Sequence, residues 1–261
     1  MQAHRVRSDM SVSSARLALL NGGVVASGNL AEGLAVDFAT LMAVALPQAD
    51  VAALDKMRAA AALGVSKRML LAGEIVLDAV GRQGLTALAG HASDTVRGWV
   101  CYALAHDYER HAAAKPLDLL LEAVRPLADD AHFGVREWAW LAVRPHIARQ
   151  PKLAISLLAG WTADPSERVR RFACESTRPR GVWCAHMSIL KENPELGLPV
   201  LEPLKADPSV YVQDSAGNWL NDAAKSQPQW VRALCAAWLD QDAGKATAHI
   251  CKKALRSLAK K

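Results

Sequence analysis

The sequence predicts an all-α protein built from antiparallel helix pairs, and three observations predict it. A phrase occurs four times: HASDTVRGWVCYA (91–103), DAHFGVREWAWLA (130–142), DPSERVRRFACES (164–176) and DPSVYVQDSAGNW (207–219). Each copy has His or Asp five residues before a Val, then Arg or Gln, then an aromatic or small residue suited to packing inward. The valines Val96, Val135, Val169 and Val212 are 39, 34 and 43 residues apart, the size of a two-helix repeat of the HEAT or armadillo type. Prolines recur at about helix-length intervals from Pro116 to Pro228, as stops between antiparallel helices would. Ala and Leu dominate, Phe and Tyr number three each, and this composition favours helix over strand. The expected fold is a HEAT-like (ARM-type) α-solenoid with a concave basic groove.

Along the chain, residues 1–12 are expected to be disordered and 13–261 to form one repeat domain, since no Gly- or Ser-rich linker interrupts it. Residues 14–20 read as a short helix stopped by Asn21-Gly22-Gly23. Residues 29–46 carry Leu30, Leu34, Phe38, Leu41 and Val44 at helical spacing, closed by Pro47. Residues 50–63, 67–81 and 85–91 read as further helices. In the repeats, Arg97, Arg136 and Arg170 are expected to pair with the Asp or carbonyls of an adjacent repeat. Trp99, Trp138 and Phe172, three after each Val, are expected in the core. Asp130, Asp164 and Asp207 are expected to cap helices. Pro116, Pro126, Pro145, Pro151, Pro165, Pro179, Pro194, Pro199, Pro208 and Pro228 are expected in loops.

The formal charge is +5, from 31 Lys+Arg against 26 Asp+Glu, and its distribution matters more than its size. Residues 168–180 hold Arg168, Arg170, Arg171, Arg178 and Arg180 against Glu175 alone; the tail adds Lys245, Lys252, Lys253, Arg256, Lys260 and Lys261 without an acid. Such clusters suit a polyanion partner, or a structural arginine ladder and a solubilising tail. Five cysteines with no CxxC pair exclude zinc and iron–sulfur spacing. The N-terminus lacks the apolar core of a secretory signal, and no apolar run reaches membrane-spanning length. A soluble, cytoplasmic protein with reduced thiols is the expectation.

Three acids draw the functional reading. Glu137 lies two residues after its Val, Glu175 six and Asp222 ten. Residues four apart share a helix face, so stacked repeats would place these acids on one stripe, each about a turn further along. They could line one groove or stand as separate solvated acids. In RRFACESTRPRGVW (170–183), Arg171 and Glu175 are four apart and can pair, and Pro179 ends the helix near Thr177. That leaves Arg178, Arg180 and Trp183 on the following link, where they could contact a DNA backbone and sugar. In SAGNWLNDAAK (215–225), Asn218 and Asp222 are four apart with Asn221 and Lys225 near. This stripe could serve a ligand or tie repeats together.

The segments LNGGVVASGNLAEGLAVDF (20–38), GVSKRM (64–69), VREWAWLAVRP (135–145), VRRFACESTRPRGVW (169–183), YVQDSAGNWLNDAAKSQP (211–228) and HICKKALRSLAK (249–260) span nearly the whole chain. In this order they resemble the AlkC branch of the HEAT-repeat alkylpurine DNA glycosylases, the AlkC/AlkD superfamily. The resemblance implies excision of cationic N3-alkylated bases such as 3-methyladenine and 3-methylcytosine from duplex DNA, without base flipping. It implies that Glu175, Asp222 and Glu137 are the groove acids. It puts Trp183 and Arg171 at DNA-contacting positions, with Arg178, Arg180, Trp140, Lys225 and Asn218 as further DNA-binding candidates. No cofactor or metal is implied, no obligate protein partner is evident, and a monomer is expected. Two departures, Gly181-Val182 in place of Leu-Pro and Ala216-Gly217-Asn218 in place of Val-Ala-Asn, bear on lesion preference more than on fold. Some branch members carry a C-terminal β-sandwich domain, and the sequence is expected to stop at the solenoid. Rival readings are a non-catalytic HEAT-repeat binder of DNA structure and a protein-interaction scaffold.

Overall fold

A computed structural model describes residues 12–111, 116–241 and 244–259. The expected disorder of the N-terminus and the terminal Lys260 and Lys261 fall outside the described residues, apart from residue 12. Among the described residues every regular element is helical. The chain divides into two compact units, 1–106 and 107–261.

The first unit holds α1 (Ser14–Asn21), α2 (Leu30–Ala35), α3 (Phe38–Ala45), α4 (Val51–Ala59), α5 (Val65–Ala89) and most of α6 (Asp94–Arg110). The single helix expected over 29–46 is two helices. Asp37 interrupts it because its carboxylate accepts from the Ala39 and Thr40 N–H groups, which start α3. The break expected between 67–81 and 85–91 is present at Gly81, whose φ of 61° departs from helix inside α5. Trp99 is buried edge-on against Phe38, ring centroids 5.5 Å apart. The buried Asp94 carboxylate accepts from the Ser27 amide and hydroxyl, both at 2.8 Å.

The second unit holds α7 (Leu117–Ala128), α8 (Phe133–Arg149), α9 (Pro151–Ala159), α10 (Glu167–Ser176), α11 (Ser188–Glu192), α12 (Leu198–Leu201), α13 (Val210–Ala224), α14 (Pro228–Gln241) and α15 (Lys245–Leu255). The Val-bearing helices stand in a row: α8 packs on α10, α10 on α13, and α13 on α15. Helices α7, α9 and α12 form a second layer, α7 against α9 and α9 against α12. This two-layer stack is a helical repeat. Its core is made of Val135, Phe172, Val212, Trp219 and Trp238, all buried, and each such side chain contributes roughly 1.5–3 kcal/mol.

The repeated phrase encodes a loop tether. In three copies the Asp does not cap its helix directly. It folds the approach instead: Asp130, Asp164 and Asp207 each accept from the N–H two residues on, those of His132, Ser166 and Ser209. That is the local turn short polar side chains favour. The Arg after the Val then ties the same loop down. Arg136 donates to the Asp130 and Ala131 carbonyls, Arg170 to those of Asp164 and Pro165, and Arg97 to those of His91 and Ala92. Gln213 does the same with the Asp207 carbonyl. The carbonyl partners therefore lie in each residue's own repeat. Arg170 also reaches the next repeat's Asp, clamping Asp207 with two bonds of 2.7 and 3.0 Å.

Of the prolines expected in loops, Pro126 and Pro145 lie inside α7 and α8, Pro151, Pro199 and Pro228 in the first turn of α9, α12 and α14, and Pro194 at the start of a 3-10 turn. The first-turn positions cost no helical hydrogen bond, so Pro126 and Pro145 are the two that need explaining. Both are exposed. The residue whose carbonyl Pro126 frees, Glu122, is itself exposed, so water can satisfy it.

Candidate active site

The +2, +6 and +10 positions converge. Glu137 sits on α8, Glu175 on the last turn of α10 and Asp222 on the last turn of α13, the three neighbours of the row. Two arginines join them. Arg171 Nη2 lies 2.7 Å from Glu137 and 3.7 Å from Glu175. Arg178 Nη1 donates to Glu175 at 2.5 Å, while its Nε and Nη2 donate to one oxygen of Asp222 at 2.9 and 2.7 Å. Lys225 closes the chain 3.0 Å from the other Asp222 oxygen. The result is a ladder, Glu137–Arg171–Glu175–Arg178–Asp222–Lys225. Its middle is buried and its ends are open: Glu175 and Asp222 side chains are 4% and 5% exposed, that of Glu137 35%.

Burial pushes the Glu175 carboxyl up. The Arg171 and Arg178 charges and the hydrogen bonds from Ser215 and Arg178 outweigh it, and the group is held below the usual carboxylate range. Burial likewise weakens the two guanidinium groups, but the flanking carboxylates raise both above their ordinary value. Glu175, Arg171 and Arg178 are thus each held in the charged form. Three carboxylates face two guanidiniums, leaving one net negative charge before Lys225 at the exposed edge. Burial pushes the neighbouring Cys174 thiol up to about 12, so it supplies no thiolate nucleophile.

The arginines are where the sequence put them, with a different occupation. Arg171 was expected to pair with Glu175, as it does, and both Arg171 and Arg178 were expected to contact DNA. They are only 13% exposed and held by carboxylates, because a buried acid needs a paired cation more than a surface phosphate does. Arg180 donates to the Ser226 hydroxyl at 2.7 Å. Asn218 accepts from Arg256 at 2.8 Å, and Asn221 donates to the Ala254 carbonyl and Ser257. That polar stripe ties α13 to α15, the second of the two readings left open for it.

The two tryptophans of α8 exchange roles. Trp140, expected against a sugar, is 3% exposed, and its indole N–H donates to Glu137 at 2.8 Å. It orients an acid and presents no face. Trp138, expected in the core, is half-buried and stacks on Trp183 with centroids 6.2 Å apart and planes 19° from parallel. Trp183 is 48% exposed and has φ of 62°, a left-handed conformation uncommon outside glycine. A pair of indoles thus stacks between α8, next in sequence to Glu137, and the link that carries Arg178.

Sequence reasoning missed Ser215, Tyr211 and Arg144. Ser215 donates to Glu175 at 2.5 Å, and the Tyr211 ring lies 4.4 Å from the Arg171 guanidinium. Arg144 is 2% exposed. Its guanidinium donates to the carbonyls of Ser176, Arg178 and Ala185 at 3.0, 2.5 and 3.3 Å. Burial pulls its pKa down. The legible signal was a lone charge inside the apolar run from Trp140 to Ile147, which has to find buried acceptors. Among the described residues no group of three or more His, Cys, Asp or Glu side chains is placed to hold a metal, and no helix is long and apolar enough to cross a membrane.

Three comparisons bear on this site. Residues 100–258, more than half of the chain, match a family model described as DNA alkylation repair enzyme. The uncharacterized protein YhaZ of Bacillus subtilis (strain 168) is 35% identical over 140 residues, 54% of this chain and 38% of that protein. The structure of the Pseudomonas fluorescens alkylpurine DNA glycosylase AlkC, bound to DNA containing an abasic site analog, superposes with a TM-score of 0.64 at 29% identity. It covers 85% of this chain and 61% of AlkC. AlkD2 from Streptococcus mutans shares the fold at 19% identity, with a TM-score of 0.55 over 77% of this chain and 86% of AlkD2. The chain spans less than two thirds of the length of YhaZ and of AlkC. The acid ladder lies wholly within the matched residues, and the chain belongs to the DNA alkylation repair enzyme family.

Proposed function

We propose that this chain is a DNA glycosylase of base excision repair that removes cationic N3-alkylated bases, 3-methyladenine and 3-methylcytosine, from duplex DNA. The observation that carries the reading is the ion-pair ladder from Glu137 to Asp222, buried at Glu175 and Asp222, on the same helices and link as the stacked Trp138–Trp183 pair. The family match and the likeness to AlkC support it.

An N3-alkylated base already carries a positive charge, so its departure needs no general acid. The C1′–N bond breaks, and its electron pair leaves with the base and neutralises it. Positive charge then develops on the deoxyribose, as in the oxocarbenium of glycoside hydrolysis. Preorganised carboxylates stabilise that cation without reorganising at the moment of reaction. Water adds to C1′ and gives up a proton, for which Glu175 or Asp222 is the acceptor. Glu137, held by Trp140, supports them, and Trp183 lies against the sugar. Base flipping has no part in this reading. Ion pairs of 2.5–3.7 Å bridge the acids, so no base-sized slot separates them.

The test is release of free base from methylated duplex DNA. Wild type is expected to release 3-methyladenine or 3-methylcytosine. Glu175→Gln and Asp222→Asn are expected to bind DNA but lose release by roughly 10²–10³-fold, the scale for removing one preorganised electrostatic group. Unchanged release in both variants overturns the assignment. Binding without release by wild type favours a non-catalytic reader of DNA structure.

A further inference from the structure

The link between α10 and α11 holds both Arg178 and Trp183, and it contains no regular structure beyond turns and bends. Something must fix it, because Trp183 sits at φ 62°. A non-glycine residue stays in that region only where its surroundings over-determine it. Helix α8 holds the link at two points. At the tip, Trp138 stacks on Trp183. Beneath it, Arg144 collects carbonyls from both ends of the link: Ser176 and Arg178 at its start, Ala185 at its end. The backbone lies directly on this group. A side chain at Gly181 would begin 3.4 Å from the Arg144 guanidinium carbon and 2.2 Å from the Cys184 sulfur. None of the hydrogen-bond acceptors of Arg144 among the described residues is a carboxylate. A buried cation with no carboxylate among its hydrogen-bond acceptors is a poor device for stability. Its fork of coplanar donors is a good device for gathering three carbonyls at once, which the single ammonium of lysine cannot match.

We propose that Arg144, buried away from any DNA, is the positioning residue that shapes residues 177–185, setting the Trp183 indole on Trp138 and aiming Arg178 between Glu175 and Asp222. The kinetic part rests on the glycosylase reading; the geometric part does not. In α8, one helix then supplies an acid, its orienting indole, one half of the aromatic pair and the support for the other half.

The experiment compares Arg144→Ala, Arg144→Lys and Gly181→Ala with Trp183→Ala as reference. Each is followed by near-ultraviolet circular dichroism, which reports the coupled indoles, and by base release at saturating DNA. The Arg144 variants are expected to lose the indole signal as Trp183→Ala does. Release is expected to fall on the order of 100-fold, the scale for misplacing a catalytic constellation by about 1 Å. Guanidinium chloride well below denaturing concentration should restore both signal and release to Arg144→Ala and neither to Trp183→Ala, a rescue that a merely structural role would not give. Gly181→Ala perturbs the link where it rests on Arg144 while leaving the guanidinium in place. It should lose the indole signal with the fold retained, and it decides the matter if Arg144→Ala does not fold. Folded variants that keep the indole signal overturn the proposal. If wild type releases no base, the glycosylase reading fails, while the indole signal still reports whether Arg144 sets Trp183.

Discussion

Glu175 shows how one residue can be costly to bury and still be kept ionised. Its carboxylate touches Arg178, Ser215 and Arg171, and its pKa is held below the ordinary carboxylate value against the opposing effect of burial. A carboxyl whose pKa is depressed on folding adds stability that is full above the unfolded pKa. That stability is lost as pH falls through the folded pKa. Wild type should therefore exceed Glu175→Gln in stability at pH 7 by on the order of 1–3 kcal/mol, the cost of leaving buried charged partners short of an acceptor. The gap should close as pH falls below about 4.3, the unperturbed glutamate value. Urea unfolding of both proteins between pH 7 and pH 3 measures it. A gap that does not change with pH would mean that Glu175 has the same pKa folded and unfolded, contrary to the ladder. The same residue bears on how the arginines are read. Sequence shows that Arg171 and Arg178 are cationic and near the acids, but only tertiary structure shows that they have already been used.

At the scale of the element, α13 and α15 illustrate the rule that a helix glycine can be required by its neighbour. Gly217 lies mid-helix, where replacing it by alanine would ordinarily stabilise by about 1 kcal/mol. Here the added Cβ would lie 2.8 Å from the Cβ of Lys253 on α15, with its Cγ and Cδ at 3.1 Å. That stem lies flat on α13 so that its ammonium can reach Asp214 at 2.6 Å. Gly217→Ala should lower the melting temperature, whereas Gly160→Ala, in an α-region conformation with nothing within 4 Å of its added Cβ, should leave it level or raise it. Thermal unfolding of both variants checks the contrast, and a rise in Gly217→Ala would show that α15 is free to shift. Elements were legible in the sequence in proportion to how local their causes are. The Val-centred repeats, the stop at Gly22-Gly23 and the break near Gly81 follow from short-range pattern, and the acid stripe follows from spacing by fours. The split at Asp37 was hidden by continuous apolar spacing around it. Pro126 and Pro145 misled because tolerance of a helix proline depends on which face meets water. Trp138 and Trp140 were exchanged because two residues on one helix differ by about 200° in direction, and periodicity alone does not say which direction is core.

At the scale of the whole molecule, the question is where the +5 charge is available. Much of the cationic side-chain supply is committed internally: Arg171 and Arg178 to the ladder, Arg136 and Arg170 to loops and Asp207, Lys253 to Asp214. Lys225, half exposed at the end of the ladder, and the exposed Lys252 on α15 remain accessible to a polyanion. Each cation placed on a DNA phosphate releases counterions and adds roughly 0.9 to the slope of log affinity against log salt. Lys225→Ala and Lys252→Ala should each reduce that slope by about this amount while changing base release at saturating DNA little for Lys252→Ala. Arg178→Gln should do the reverse. It takes away the guanidinium that Glu175 and Asp222 share and so should impair release, but leave the slope near the wild-type value, since that guanidinium neutralises acids rather than phosphates. Titration of a fluorescent duplex at several salt concentrations separates the two classes. A slope that falls as much for Arg178→Gln as for Lys225→Ala would put Arg178 on a phosphate in the complex. The ladder would then have to open when DNA binds, freeing Glu175 and Asp222 at the moment the sugar arrives.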